Sequence, residues 1–195
     1  MLKQLFSKAN IVTYIGLILA IIGIWLCYID RINVAIICII VCGICDGFDG
    51  TIARILRKTD DNGFGIQLDS LVDIISSGIL PIVICYSMGF NGIINTVAYA
   101  FFIIMGVTRL AYYNVAGRED KENFTGVPIT ASTIVLPIIY YFFKHENVFM
   151  VALLGLGCLY VTPIKIKKLS LKEKIALSIT GIIVIIALII GGKNG

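Results

Sequence analysis

The sequence predicts an all-α fold, a polytopic helix bundle embedded in a membrane. Three observations predict it. Of 195 residues, 58% are hydrophobic and only 14% are charged, against about 25% charged in an ordinary soluble domain. Mean hydropathy is +0.97. The apolar residues gather into long stretches, with most charges between them. These features exclude a soluble globule and a disordered chain. A net charge of +4 is too small and too local to mark a nucleic-acid partner.

A hydrocarbon core about 30 Å thick takes roughly 20 apolar residues of helix. Stretches of this kind run over 10–29, 33–57, 66–88, 91–116 and 174–192, with shorter ones at 128–143 and 146–163. Met1 to Lys8 reads as a short surface helix with Leu2, Leu5 and Phe6 towards lipid. No small-residue cleavage site follows the first span, so it does not read as a signal peptide. Asp30-Arg31 ends that span, and Asn62-Gly63 separates the second from the third. Gly89 to Gly92 breaks the third from the fourth, Gly126-Val127-Pro128 opens the fifth, and Lys144-His145-Glu146 precedes the sixth. Seven spans put the chain ends on opposite sides. With the N-terminus cytoplasmic, only Arg31, Lys144 and Lys193 of the 16 basic residues fall outside, as the positive-inside rule favours. The cluster from Lys165 to Lys174 reads as a topology anchor and a patch for anionic headgroups. Cys42 and Cys45 form a lone C-x-x-C without a second pair, and the six cysteines read as small apolar residues in helices.

Four acids interrupt this pattern. An ionised Asp inside a span costs roughly 2.5–3.5 kcal/mol on insertion scales. Asp46, Asp49, Gly50 and Ala53 share one face of the second span, with Arg54 at its border. Gly65, Asp69 and Asp73 form one stripe of the third. A tight inner loop makes the two spans antiparallel neighbours, so the acidic faces can meet near the cytoplasmic end. Carboxylates so placed repel one another unless a cation lies between them, and oxygen ligands favour Mg²⁺, Mn²⁺ or Ca²⁺ over zinc. Gly47, Gly50 and Ala53 leave room for close helix packing or for phosphates. A buried polar network joining two helices and an ion-transport site are the alternatives on residues alone.

The run Asp46-Gly47-Phe48-Asp49-Gly50-Thr51-Ile52-Ala53-Arg54, followed by Gly65-Ile66-Gln67-Leu68-Asp69-Ser70-Leu71-Val72-Asp73, resembles the signature of the CDP-alcohol phosphatidyltransferase family. That signature is D-x-x-D-G-x-x-A-R, a spacer, then G-x-x-x-D-x-x-x-D. All eight defining residues are present, with a slightly long spacer of ten residues between Arg54 and Gly65. The resemblance implies a six-span membrane domain over 1–163. Residues 164–195 are then a basic inner loop and an additional C-terminal span. It implies transfer of a phosphatidyl group from a CDP-linked lipid to a small alcohol, with release of CMP. It further implies a pair of divalent ions, Mg²⁺ or Mn²⁺, on Asp46, Asp49, Asp69 and Asp73, with Asp73 also the general base. Gly50, Ala53, Arg54 and Gly65 would cradle the CDP-lipid beside Asp46. Asn10 and Thr13, an N-x-x-T at the start of the first span, resemble a family segment near the nucleotide. The family also suggests a homodimer in the plasma membrane, its active site at the cytoplasmic side.

Two later segments bear on the alcohol. Arg109-Leu110-Ala111-Tyr112-Tyr113-Asn114 and Phe124-Thr125-Gly126-Val127-Pro128-Ile129-Thr130-Ala131 resemble R-L-A-R-F-N and F-x-G-L-P-x-P-A of the serine-using branch of the family. Tyr112 stands where that branch has a second Arg, and Thr130 where it has a second Pro. The resemblance implies L-serine as acceptor and CDP-diacylglycerol as donor, with Arg109, Asn114, Gly126 and Pro128 at the serine site. Glycerol 3-phosphate or inositol phosphate is the alternative acceptor. A phosphorylated acceptor wants a second basic cluster in the spans, and beyond Arg54 and Arg109 the sequence offers none. An ion or metabolite transporter is the distant alternative; internal repeats, common in transporters, are not visible here.

Overall fold

Apolar sequence becomes helix almost throughout, because backbone polar groups in lipid must be satisfied within the segment. A computed structural model of the protein describes residues 8–56, 63–115, 123–167 and 170–191. Its helices are α1 (Lys8–Tyr28), α2 (Ile32–Leu56), α3 (Phe64–Asp73), α4 (Leu80–Ser87), α5 (Ile93–Val115), α6 (Ser132–Phe142), α7 (Glu146–Val161) and α8 (Leu171–Gly191). Four helical stretches among the described residues are long and apolar enough to cross a membrane: Asn10–Tyr28, Phe64–Ser87, Ile93–Val115 and Leu171–Ile190. Ile32–Phe48, Ile129–Phe142 and Glu146–Val161 are shorter apolar helices. The protein is a helical membrane bundle. The expected surface helix at Met1 to Lys8 lies outside the described residues, apart from Lys8, the first residue of α1.

The breaks have a local cause. Asp30 takes a left-handed conformation with φ 57°. Its amide donates to the Cys27 carbonyl and that of Arg31 to the Leu26 carbonyl, which caps α1 and turns the chain into α2. Gly89, φ 88°, does the same for α4, with Phe90 N–H on the Cys85 carbonyl at 3.1 Å. At Ser170, the backbone N–H donates to Glu173 Oε2 at 2.6 Å, and the Glu173 N–H donates back to Ser170 Oγ at 3.4 Å. This capping box fixes where α8 begins.

The third span, expected over 66–88, runs from Phe64 to Ser87 but is not α-helical throughout. Ile74–Ile79 is a π-helical turn between α3 and α4. Pro81 explains it. In an α-helix residue 81 would donate its N–H to the Ser77 carbonyl, but proline has no N–H and its ring crowds that carbonyl. The turn widens instead. The buried hydroxyl of Ser132, at the start of α6, donates to the Ser77 carbonyl at 2.6 Å. A helical irregularity thus begins immediately after Asp73 and is tied to α6.

Packing is closest where side chains are small. A Cβ on Gly43 of α2 would run into the Thr133 side chain of α6. One on Gly181 of α8 would lie 3.0 Å from Ile40 Cγ2. The core is Ile36 and Ile39 of α2, Leu80, Phe102 of α5, and Phe149 and Tyr160 of α7, all nearly inaccessible. A short antiparallel ribbon, not anticipated, pairs β1 (Asn123–Thr125) with β2 (Lys165–Lys167) through Phe124 opposite Ile166. It joins the segment before α6 to the segment before α8, at the end of the bundle where α2 finishes and α3 starts. The cysteines are free thiols, and Cys42 Sγ donates to the Gly16 carbonyl at 3.4 Å.

Candidate active site

Helical spacing brings the acids together. One carboxylate oxygen from each of Asp46, Asp69 and Asp73 lies within 4.8 Å of the others. Asp46 comes from α2, whereas Asp69 and Asp73 are one turn apart on α3. Asp73 is 9% exposed, and the other two are half-buried. The side chains of Asp73 and Thr130 lie beside Asp46. Thr130, one of the departures from the resembled segment, lines the same cavity as the cluster. Two oxygens bound to one Mg²⁺ or Ca²⁺ at about 2.1–2.4 Å can be at most about 4.2–4.8 Å apart. The carboxylate donor set and its compactness therefore fit a hard divalent cation.

Arg109 supplies the nearby positive charge. It is 7% exposed near the C-terminal end of α5, and Asp73 and Asp46 are among the groups that act on its charge. Its guanidinium carbon lies 5.3 Å from the centroid of the Tyr113 ring. Asn114 donates to Ser70 Oγ at 2.9 Å and to Gln67 Oε1 at 3.4 Å, which ties α5 to α3 beside Asp69. Tyr112 is 56% exposed and does not line the cavity. Its substitution for Arg therefore removes no charge from the cavity wall.

The acids open onto a cavity of about 500 Å³. Its polar portion includes Asp46, Asp69, Asp73, Arg109 and Asn114. Ile40, Ile44, Ile134, Ile138, Leu177 and Val184 make an apolar wall from α2, α6 and α8. One cavity thus joins a charged head region to a hydrocarbon-like slot.

The remaining candidate residues divide. Pro128 lines the cavity. Gly126 does not; with φ 76° and its N–H on the Ile164 carbonyl at 2.9 Å, it shapes the turn that presents Pro128. Thr13 is buried on the other side of the acids, in a small cleft with Asp46, Asp69 and Asp73. Asn10, one turn earlier, is buried and lines neither space. Gly65 is buried in the first turn of α3, away from the cavity lining. Asp49, Gly50, Ala53 and Arg54 belong to α2, but their side chains lie outside the described residues. Lys174 and Tyr113 also line the cavity, and sequence reasoning did not single them out. Tyr113 follows from its position four residues after Arg109. Lys174 heads a stripe with Ser178 and Gly181, spacing that places all three on one helix face.

Fold and site together define a membrane-embedded carboxylate centre at one end of a helix bundle. The chain belongs to the CDP-alcohol phosphatidyltransferase family, whose profile matches residues 6–163. It is 35% identical over 133 residues to a CDP-diacylglycerol–serine O-phosphatidyltransferase of Helicobacter pylori, covering 63% of this chain and 55% of that protein. An archaetidylserine synthase of Methanothermobacter thermautotrophicus is 32% identical over 141 residues, 71% of this chain and 57% of that one. A Bacillus subtilis CDP-diacylglycerol–serine O-phosphatidyltransferase is 31% identical over 125 residues, 62% of this chain and 67% of that protein. The matched region spans little more than half the length of the first two relatives.

Proposed function

We propose that the protein transfers a phosphatidyl group from CDP-diacylglycerol to L-serine, giving phosphatidylserine and CMP. The observation that carries this reading is the cluster of Asp46, Asp69 and Asp73 on a cavity that also holds Arg109 and an apolar wall. A diphosphate bearing acyl chains suits such a cavity, its head at the charged portion and its chains along α2, α6 and α8. The names of the three relatives support serine as the alcohol.

Asp46, Asp69 and Asp73, with Asp49 from the sequence motif, would hold one or two divalent ions, Mg²⁺ or Mn²⁺. Such ions, when bound, neutralise charge on the diphosphate oxygens. The chain's own groups do the rest. Asp73, as general base, takes the proton from the serine hydroxyl while the oxygen attacks the lipid-side phosphorus. The bond from that phosphorus to the bridging oxygen breaks, and CMP leaves with the bond electrons. Arg109 grips the serine carboxylate through its planar fork. Gly50, Ala53 and Arg54 border the nucleotide, and Gly126 sets the turn that brings Pro128 to the acceptor. The basic residues favour this centre at the cytoplasmic side of the plasma membrane. The protein would act as a homodimer.

The test is to supply purified protein with CDP-diacylglycerol and, separately, serine, glycerol 3-phosphate or inositol phosphate, and to identify the lipid formed. Phosphatidylserine from serine alone is expected. Product only from a phosphorylated alcohol would overturn the serine assignment and leave the family standing.

A further inference from the structure

The family profile ends at residue 163, yet α8 beyond it walls the cavity through Lys174, Leu177, Ser178 and Gly181. The Lys174 ammonium leaves the basic cluster and donates to the Gly47 carbonyl at 2.8 Å. Gly47 directly follows Asp46, and Lys174 is one of the charges that act on Asp46. The geometry is prepared locally. The Ser170–Glu173 capping box fixes the start of α8 one turn before Lys174. Ser178 Oγ donates to the Lys174 carbonyl at 2.9 Å. Gly181 lets α8 approach Ile40 and Ile44. The opposite face, with Ile179, Ile182, Ile183, Ile186 and Ile190, is exposed as a lipid-facing surface would be. A lysine in a topology anchor would point to water or headgroups; this one points to the acidic turn of α2.

We propose that Lys174 is a donor-site residue: it joins the C-terminal helix to the acidic turn of α2 and presents a cation to the anionic diphosphate of the nucleotide-linked lipid. The inference rests on the proposed reaction. A diphosphate beside three carboxylates draws positive charge from the divalent ions they would hold and from cationic side chains, and Lys174 and Arg109 are the cationic side chains among the cavity's described lining residues. The C-terminal helix is then part of the active site rather than an appendage to the family fold.

The test separates charge from tethering. Lys174→Gln keeps an N–H donor for the Gly47 carbonyl and removes the charge; Lys174→Met removes both; Lys174→Arg keeps the charge. Donor binding is read without any alcohol, as stabilisation of the full-length protein against heat by added CDP-diacylglycerol. Both Gln and Met variants should need about tenfold more donor for the same stabilisation, the size of one charge-assisted hydrogen bond. Donor KM should rise by a similar factor, the serine KM should stay put, and the Arg variant should recover most of the loss. Wild-type donor binding in the Gln variant, whether or not the Met variant folds, would overturn the proposal and leave a structural tether. A rise confined to the serine KM would overturn it too. Wild-type protein that neither binds the donor nor releases CMP with any alcohol would overturn the underlying reaction as well.

Discussion

The guanidinium carbon of Arg109 stands 5.3 Å from the ring centre of Tyr113, one turn further along α5. A cation over an aromatic face gains about 0.5–2 kcal/mol, which helps hold the guanidinium at the cavity wall. Lysine keeps the charge but has no fork and no stack. Arg109→Lys should therefore raise the serine KM more than the donor KM in steady-state assays. An equal rise in both would assign Arg109 to the phosphates or to packing.

Gly126 is fixed by two constraints at once. Its φ is 76°, and a Cβ there would collide with the Tyr160 carbonyl oxygen. Gly89 has a similar φ of 88° but nothing within 4 Å of the same position. Strain alone costs about 1–3 kcal/mol. Gly126→Ala should lose more stability than Gly89→Ala in thermal unfolding in detergent. Only the former should also impair turnover, because the turn it shapes carries Pro128 to the cavity.

Much of this was legible in the sequence, for identifiable reasons. Length and hydropathy point to the four long apolar helices, and the cost of carboxylates in lipid draws attention to Asp46, Asp69 and Asp73 from the sequence alone. The breaks at Asp30 and Gly89 became left-handed helix caps. The π-helical turn was missed although Pro81 signals it, because an apolar run containing one proline still averages as a span. The β1–β2 ribbon was missed because three-residue strands 40 residues apart carry no periodic signal. Lys174 was grouped with its basic neighbours, since charge counting along the chain does not register which helix face a lysine occupies. Tyr112 drew attention as a lost charge, but its exposure puts it on the outer face of α5.

Orientation is open to direct test. The six native cysteines would be removed and single cysteines placed at Lys121 and Lys144. A membrane-impermeant reagent applied outside intact cells should label position 144, which is exposed, and spare position 121. Labelling of position 121 from outside would invert the topology and remove the cytoplasmic supply of serine.

Asp73 sits where α3 gives way to the π-helical turn, with its carboxylate beside those of Asp46 and Asp69. Asp73→Asn preserves shape and removes the proposed base. Turnover should fall by at least ~10²–10⁴-fold, while CDP-diacylglycerol still protects the protein against heat. Near wild-type turnover would remove Asp73 from proton transfer.

The carboxylate centre itself is tested most directly by following CMP release from CDP-diacylglycerol and serine as divalent cation is removed and restored. Chelation should abolish turnover, and Mg²⁺ or Mn²⁺ should restore it to wild-type protein. Asp69→Ala, which should still insert but would lack a proposed ligand, should not recover. Full turnover in excess chelator, or in Asp69→Ala, would contradict a metal-dependent centre built on Asp46, Asp69 and Asp73.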